Sequence, residues 1–448
     1  MLCKIDKKFY PVIEYYNEFS SRVKKSGLSA PFKLALERND SQVYRFEAEV
    51  YKDGVHNIEN STFAERIIKS LLWIVGGYKL YINAPYKLFE KIAKIFSENG
   101  KRAFDVKFME KIYEKPFSIE YREANNLPEA NESGVSIGGH YNGCRIGFDA
   151  GGSDRKVCAA INGNVVYSEE TVWHPKLNSD YRYHYDGIYD SIKKAASYLP
   201  RVDCIGVSSA GIYVNNRAMA ASLFIKVPED DFDKHIKDVY INIAERFGAK
   251  TEVANDGDVA ALAGALELND NRVLGIAMGT SQAGGYIDGS GNIKGWLNEL
   301  AFVPADMQKD GAIDEWSGDK GCGVKYFSQD AVIKLAEFAE IRLNEKLSPH
   351  DKLKYIQDNF DKNSKIPKIF EDIGVYFGNA ILYYALFYDI KYVLLLGRVS
   401  GGAGGNIIKS VAEEVLGEYG SNIKIILPDE SNRRVGQAIA AASLPDIN

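Results

Sequence analysis

The chain has 448 residues, 46% of them hydrophobic and 26% charged, with a formal net charge of −6 at pH 7. That composition excludes a disordered or fibrous chain, and at roughly 150 residues per domain it predicts about three domains. The mild acidity gives no global reason to expect nucleic acid as a partner, and the charge divides weakly, with 22 Lys+Arg against 19 Asp+Glu in residues 1–140 and 33 against 42 beyond. Lys33–Tyr51 reads as a hairpin turning at Asn39-Asp40-Ser41. Ser61–Val75 has helical spacing, with Phe63, Ile67, Leu71 and Ile74 on one face. Lys79–Asn83 is strand-like, and Tyr86–Ser97 is an amphipathic helix stopped by Asn99-Gly100. Strand-like segments are expected from there to Tyr121. Glu123–Gly139 is polar and rich in Asn, Gly and Ser, the pattern of a linker.

A second α/β pattern follows. Arg145–Val166 reads as strand, glycine turn, strand; Tyr185–Leu199 as a helix; Asp203–Ser208 as a buried strand. Phe232–Phe247 reads as a helix, Thr251–Ala254 as a short strand, and Val259–Leu268 as a helix. Val273–Ile293 repeats strand, glycine turn, strand. The tail holds a long helix near Ile366–Tyr388, a strand at Tyr392–Leu396, a glycine cluster at Gly401–Gly405 and two further helices. Ala380–Gly397 is the longest apolar stretch, but Asp389 and Lys391 interrupt it, so it reads as a helix end and a buried strand. The five cysteines form no C-x-x-C pair, which fits free thiols in a reducing compartment. A cytoplasmic protein without a membrane span is expected.

Two glycine hairpins, D-A-G-G-S at 149–153 and G-T-S-Q-A-G-G at 279–285, form an internal repeat about 130 residues apart. Glycines let backbone N–H groups approach phosphate oxygens, so the pair can grip one polyphosphate. Asp149 is placed to hold Mg²⁺ directly or through water, and Ser153 adds a hydroxyl. The alternative is a pair of structural turns. Val253-Ala254-Asn255-Asp256-Gly257-Asp258 feeds a strand into a helix, the position where α/β folds bind ligands. Asp256 suits a base for a substrate hydroxyl, with Asn255 bonding a neighbouring hydroxyl. The alternative is an ordinary helix cap. The Tyr-rich stretch Trp173–Tyr189 suits either closure over a bound ligand or simple packing.

Taken together, I-G-F-D-A-G-G-S (146–153), S-S-A-G (208–211), A-N-D-G-D-V-A-A-L (254–262), M-G-T-S-Q-A-G-G (278–285), W-L-N-E-L-A-F-V (296–303) and V-L-L-L-G-R-V-S (393–400) occur in the order of ROK-family sugar kinases. The chain resembles that family over residues 143–445. The resemblance implies an α/β actin-like (ribonuclease H-like) two-lobed kinase fold, with an additional N-terminal α/β domain in 1–140. The lobes are expected as 141–254 plus 430–448 and 255–429. It implies ATP and Mg²⁺, with Asp149, Gly151, Gly152 and Ser153 as the first phosphate motif. Gly279, Thr280, Gly284 and Gly285 match the second. Asp256 matches the catalytic base, and Asn255, Gly211 and Glu299 match the sugar-binding segments. Gly397, Gly401 and Gly402 lie in the segment that packs near adenine and ribose. Asn432–Ala442 resembles the terminal helix that returns to the first lobe.

Departures from the family pattern carry expectations of their own. The segment G-E-x-G-H reads N-E-L-A-F here, with Phe302 in the histidine's place. The zinc segment C-x-C-G-x-x-G-C reads E-W-S-G-D-K-G-C at 315–322, where only Cys322 survives. Structural zinc needs about four ligands, so no zinc site is expected, and its anchoring role passes to packing by Phe302 and Trp316. Asp258 stands for an asparagine and Arg398 for a glycine. Residues 30–125 read as a degenerate copy of the first lobe. The expected activity is ATP-dependent phosphorylation of a hexose or N-acetylhexosamine, by a homodimer without nucleic-acid or membrane partners. The alternatives are a sugar- or nucleotide-binding protein that has lost catalysis and a DNA-binding regulator.

Overall fold

The computed structural model describes residues 1–132, 137–428 and 430–447, so part of the expected linker (133–136) lies outside the described residues. The chain divides into two compact units. The first holds 1–133, 276–284 and 296–427; the second holds 134–275, 285–295 and 428–448.

The N-terminal segment of the first unit runs α1 (Val12–Ser26), β1 (Ser29–Glu37), β2 (Val43–Tyr51), α2 (Asn57–Ile74), β3 (Lys79–Asn83), α3 (Tyr86–Ile95), α4 (Ala103–Tyr113) and β4 (Ser118–Tyr121). The hairpin turns where expected, with Asp40 and Ser41 in left-handed conformation. The stretch read as strands before Tyr121 contains α4 instead. Its buried residues, Asp105, Val106, Met109, Ile112 and Tyr113, follow a three-and-four spacing, the helical period. The sheet order is β2-β1-β3-β4, with β1 antiparallel to both β2 and β3. A degenerate actin-like lobe would need β1 and β3 parallel, so that expectation fails. A helical crossover joins parallel strands, here β2 and β3. With one strand fewer before the crossover, β3 runs opposite to β1.

The second unit contains β5 (Cys144–Ala150), β6 (Asp154–Ile161), β7 (Asn164–Val172), α5 (Tyr181–Ala196), β8 (Cys204–Ser209), the short pair β9 (Ile212–Val214) and β10 (Arg217–Ala220), a single turn α6 (Glu229–Asp231), α7 (Val239–Glu245), β11 (Lys250–Asn255) and α8 (Asp256–Leu268). The helix expected over Phe232–Phe247 is broken into a π-turn at Phe232–Ile236 and α7. The sheet order is β11-β8-β5-β6-β7, with β11, β8 and β5 mutually parallel. Ile146, Phe148, Ile205 and Val207 pack in one core with Ile188, Ile192, Tyr240 and Ile243 from the helices.

The remainder comprises β12 (Val273–Met278), β13 (Gln282–Ile287), α9 (Gln329–Phe338), α10 (Pro349–Asp358), α11 (Ile366–Tyr384), β14 (Tyr392–Leu396), α12 (Gly402–Glu418), β15 (Lys424–Ile426) and α13 (Glu430–Ala442). The sheet order here is β13-β12-β14-β15. Helix α13 belongs to the second unit, as its expected return to that sheet requires. It lies so close that a Cβ on Gly147 would meet Ala438 O at 1.8 Å, and one on Gly206 would meet Ala441 O at 1.7 Å. Among the described residues no helix is long and apolar enough to cross a membrane. All five cysteines are free and buried.

Candidate active site

Three parallel strands end side by side in the second unit. Ala150 and Asn255 both stand in register with Ser209, which brings the carboxyl ends of β5, β8 and β11 together. Ligands bind at such ends because polar side chains and helix N-termini converge there. Asp149, buried near the end of β5, accepts a hydrogen bond from Ser208 Oγ at 2.7 Å. Lys156 Nζ lies 3.6 Å from its other oxygen. Burial nevertheless raises the Asp149 pKa, with Ser208 and Lys156 opposing.

Helix α8 starts at Asp256, directly after β11. Asn255 caps it, accepting the Gly257 N–H at 2.8 Å, and its amide donates to Gly211 O at 2.6 Å. The cap reading of Asn255 is therefore realised, and the same contacts hold the S-S-A-G turn against the helix start. Asp256 accepts the Gly257 N–H at 3.0 Å. Burial pushes its pKa up to about 6, and the neighbouring Asp149 charge adds to the rise. A carboxyl poised there is ionised at neutral pH yet basic enough to share a hydroxyl proton.

The first glycine turn lies beside this cluster. Gly151 N–H donates to Asp154 O at 3.0 Å, and Ser153 Oγ donates to Asp154 at 3.1 Å. Trp173 clamps the turn, its indole donating to Gly151 O at 2.8 Å and its N–H to Ser153 O at 3.1 Å. Trp173 and His184 are fully buried, so the packing reading holds for them. Burial lowers the His184 pKa. A Cβ on Gly152 would lie 3.6 Å from Lys176 Cε and 3.8 Å from Nζ. Lys176 and Lys156 carry no motif in the sequence, because no spacing rule marks a lone cation on a strand or in a short turn.

The second glycine turn, Gly279–Ser281, joins β12 to β13. Thr280 Oγ1 accepts Arg398 Nη2 at 2.9 Å, while Arg398 Nη1 lies 2.5 Å from His350 Nδ1. Gly397 lets this contact form: its φ is +94°, and a Cβ would sit 2.4 Å from Met278 O. Gly401 and Gly402 open α12. Gly284 and Gly285 are closely packed. A Cβ on Gly284 would lie 2.6 Å from Asn298 O, and one on Gly285 2.1 Å from the Gly257 carbonyl.

Glu299 sits in a segment anchored on the end of α2. Glu299 N–H donates to Trp73 O and Asn298 N–H to Ile74 O, both at 2.9 Å. Phe302 packs on Trp73 and Trp316 with centroids at 4.3 and 4.9 Å, and Trp316 meets Phe104 at 5.1 Å. Packing by Phe302 and Trp316 is therefore present, but it is half of the anchor. Asp319, from the segment matched to the zinc motif, makes ion pairs with Arg66 at 2.8 Å, Lys69 at 2.9 Å and Arg102 at 2.9 Å. Glu65 joins through Arg102, and Asp105 accepts the Trp73 indole at 2.5 Å. Burial alone would raise the Asp319 pKa, yet the three cations hold it far below the usual carboxylate range. The α2 and α4 partners lie more than 200 positions away in sequence, so no local pattern exposes them.

No protein-family model matches the chain, and no curated protein sequence matches it. Solved structures do match. The ROK hexokinase of Thermus thermophilus superposes with a TM-score of 0.52 at 16% identity, over 67% of this chain and 97% of that one. A protein of Listeria monocytogenes described as an N-acetylmannosamine kinase superposes with a TM-score of 0.50 at 14% identity, over 67% and 97%. The chain has the fold of the ROK sugar kinases. Two-thirds of the chain finds a counterpart in this ROK fold.

Proposed function

We propose that the protein transfers the γ-phosphoryl group of ATP to a hydroxyl of a hexose or N-acetylhexosamine. The observation that carries this reading is Asp256, set at the start of α8 beside Asp149, with its pKa pushed up to about 6 by burial. The sugar oxygen bonds to the γ-phosphorus, the bond from that phosphorus to the ADP oxygen breaks, and ADP leaves with the electron pair. Asp256 takes the hydroxyl proton. Asn255, Gly211 and Glu299 are assigned to the sugar on the motif resemblance. Asp149, Gly151, Gly152, Ser153, Gly279, Thr280, Gly284 and Gly285 are assigned to the phosphates, and Gly397, Gly401 and Gly402 to the nucleoside. Asp149 offers hard oxygen donors for Mg²⁺, directly or through water, and its closeness to Asp256 leaves two carboxylates that a cation would relieve. Bound there, Mg²⁺ supplies positive charge to the phosphate oxygens. The lobe boundaries near 140, 254 and 430 and assembly as a homodimer belong to the same proposal.

A second reading, a sugar- or nucleotide-binding protein without turnover, draws on Phe302 in the histidine's place and on Arg398 donating to Thr280. Coupled ADP release over a panel of sugars separates the two, because only a kinase gives sugar-stimulated turnover. Light scattering reads the dimer.

A further inference from the structure

Three cations of the second unit lie near the first glycine turn, and two are engaged. Lys156 pairs with Asp154 at 2.9 Å and faces Asp149. Arg155 donates to Ser191 Oγ at 2.9 Å and lies over the Trp173 ring, 5.6 Å from its centroid. Lys176 is different. Among the described residues no carboxylate stands within ion-pair distance of its ammonium. Its backbone is held on both sides. Trp173 is pinned to Gly151 and Ser153, His174 N–H donates to Tyr183 Oη at 2.9 Å, Pro175 is buried, and Asn178 Nδ2 donates to His174 O at 2.8 Å. The short turn Pro175–Leu177 thereby presents Lys176 over Gly152, whose missing side chain leaves the space in front of the ammonium open.

We propose that Lys176 is a catalytic residue whose ammonium contacts the transferred phosphoryl group of the donor over the Gly151-Gly152 turn. This rests on the kinase reading above. Lys176 is exposed, on a turn whose backbone is fixed, and a positive charge there opposes the charge that builds on the phosphoryl oxygens. It fills a gap in the turn itself, where Gly151 N–H is already engaged by Asp154 and Asp154 brings a negative charge.

The test compares wild type, Lys176→Met, Lys176→Arg and Asp256→Asn in the full chain. It measures steady-state kinetics and binding of the non-hydrolysable analogue AMPPNP. Lys176→Met should lower kcat about a hundredfold with the sugar KM unchanged, and weaken AMPPNP about tenfold. Lys176→Arg should recover part of both. A loss in kcat with an unchanged sugar KM, partly rescued by Lys176→Arg, is a pattern that mere unfolding would not produce. Full kcat in Lys176→Met overturns the proposal. If wild type shows no sugar-stimulated turnover, the kinase reading fails, and AMPPNP binding still decides: weaker binding in Lys176→Met supports the phosphate contact, and equal binding overturns it.

Discussion

At the residue scale, Asp256 combines two properties that conflict. Its carboxyl is pushed up to about 6 by burial and by Asp149, so the folded protein holds its proton more tightly than the unfolded chain does. A carboxyl with a raised folded-state pKa destabilises the fold above that value. The penalty is absent below the unfolded value near 4 and grows as pH rises through about 6. Asp256→Asn should therefore raise stability by roughly 1–2 kcal/mol at pH 8 and leave it nearly unchanged at pH 4. Chemical denaturation at the two pH values reads this, and equal effects at both would remove the buried-charge account. The same substitution removes the base, so gain of stability and loss of turnover should coincide, as is common where a site holds strain for function. Arg398 makes a second case. It was expected only as a departure from a glycine, but its guanidinium reaches Thr280. Arg398→Gly frees that hydroxyl and should change the KM for ATP while leaving the sugar KM alone. A sugar KM that moves with it would place Arg398 elsewhere in the reaction.

At the scale of elements, α2 and the residue that caps α4 carry charges to Asp319, in the segment matched to the zinc motif. Lys69, Arg102 and Asp319 are buried, and Arg66 nearly so, so each depends on the others for its solvation. Breaking a buried network by removing one member leaves uncompensated charge and costs about 3–5 kcal/mol. Asp319→Ala should lose that much in urea denaturation. A loss below about 1 kcal/mol would show that the network is hydrated and that aromatic packing alone holds the segment. Much of this architecture is legible in the sequence, since β3 and β14 begin and end where alternation and turn residues place them. The cluster at Asp149, Asn255 and Asp256 is legible too, because strand ends followed by polar residues and a helix mark a binding edge. Helix α4 lies in the stretch expected as strands up to Tyr121, while its burial follows the helical period. The ion network was out of reach for a different reason. Glu65, Arg66 and Lys69 look like the solvated face of an amphipathic helix, and only the fold brings Asp319 to them.

At the scale of the whole molecule, the N-terminal segment is part of the first unit and does not stand as a separate attachment. The carbonyls of Trp73 and Ile74 receive the amides of Glu299 and Asn298, and α2 supplies cations to Asp319. Deleting residues 1–132 should strand Asp319 and uncover the Phe302–Trp316 aromatic cluster, giving an aggregating product. A soluble, cooperatively folding 133–448 fragment would contradict that role. The account as a whole stands on Asp256 as the base of a sugar kinase, and sugar-stimulated ADP release by the full chain tests it most directly. Wild type should turn over at least one hexose or N-acetylhexosamine, with kcat rising through an acidic limb near pH 6, and Asp256→Asn should lose activity by about a thousandfold or more. Turnover undiminished in Asp256→Asn, or absent from wild type across the whole sugar panel, would contradict it.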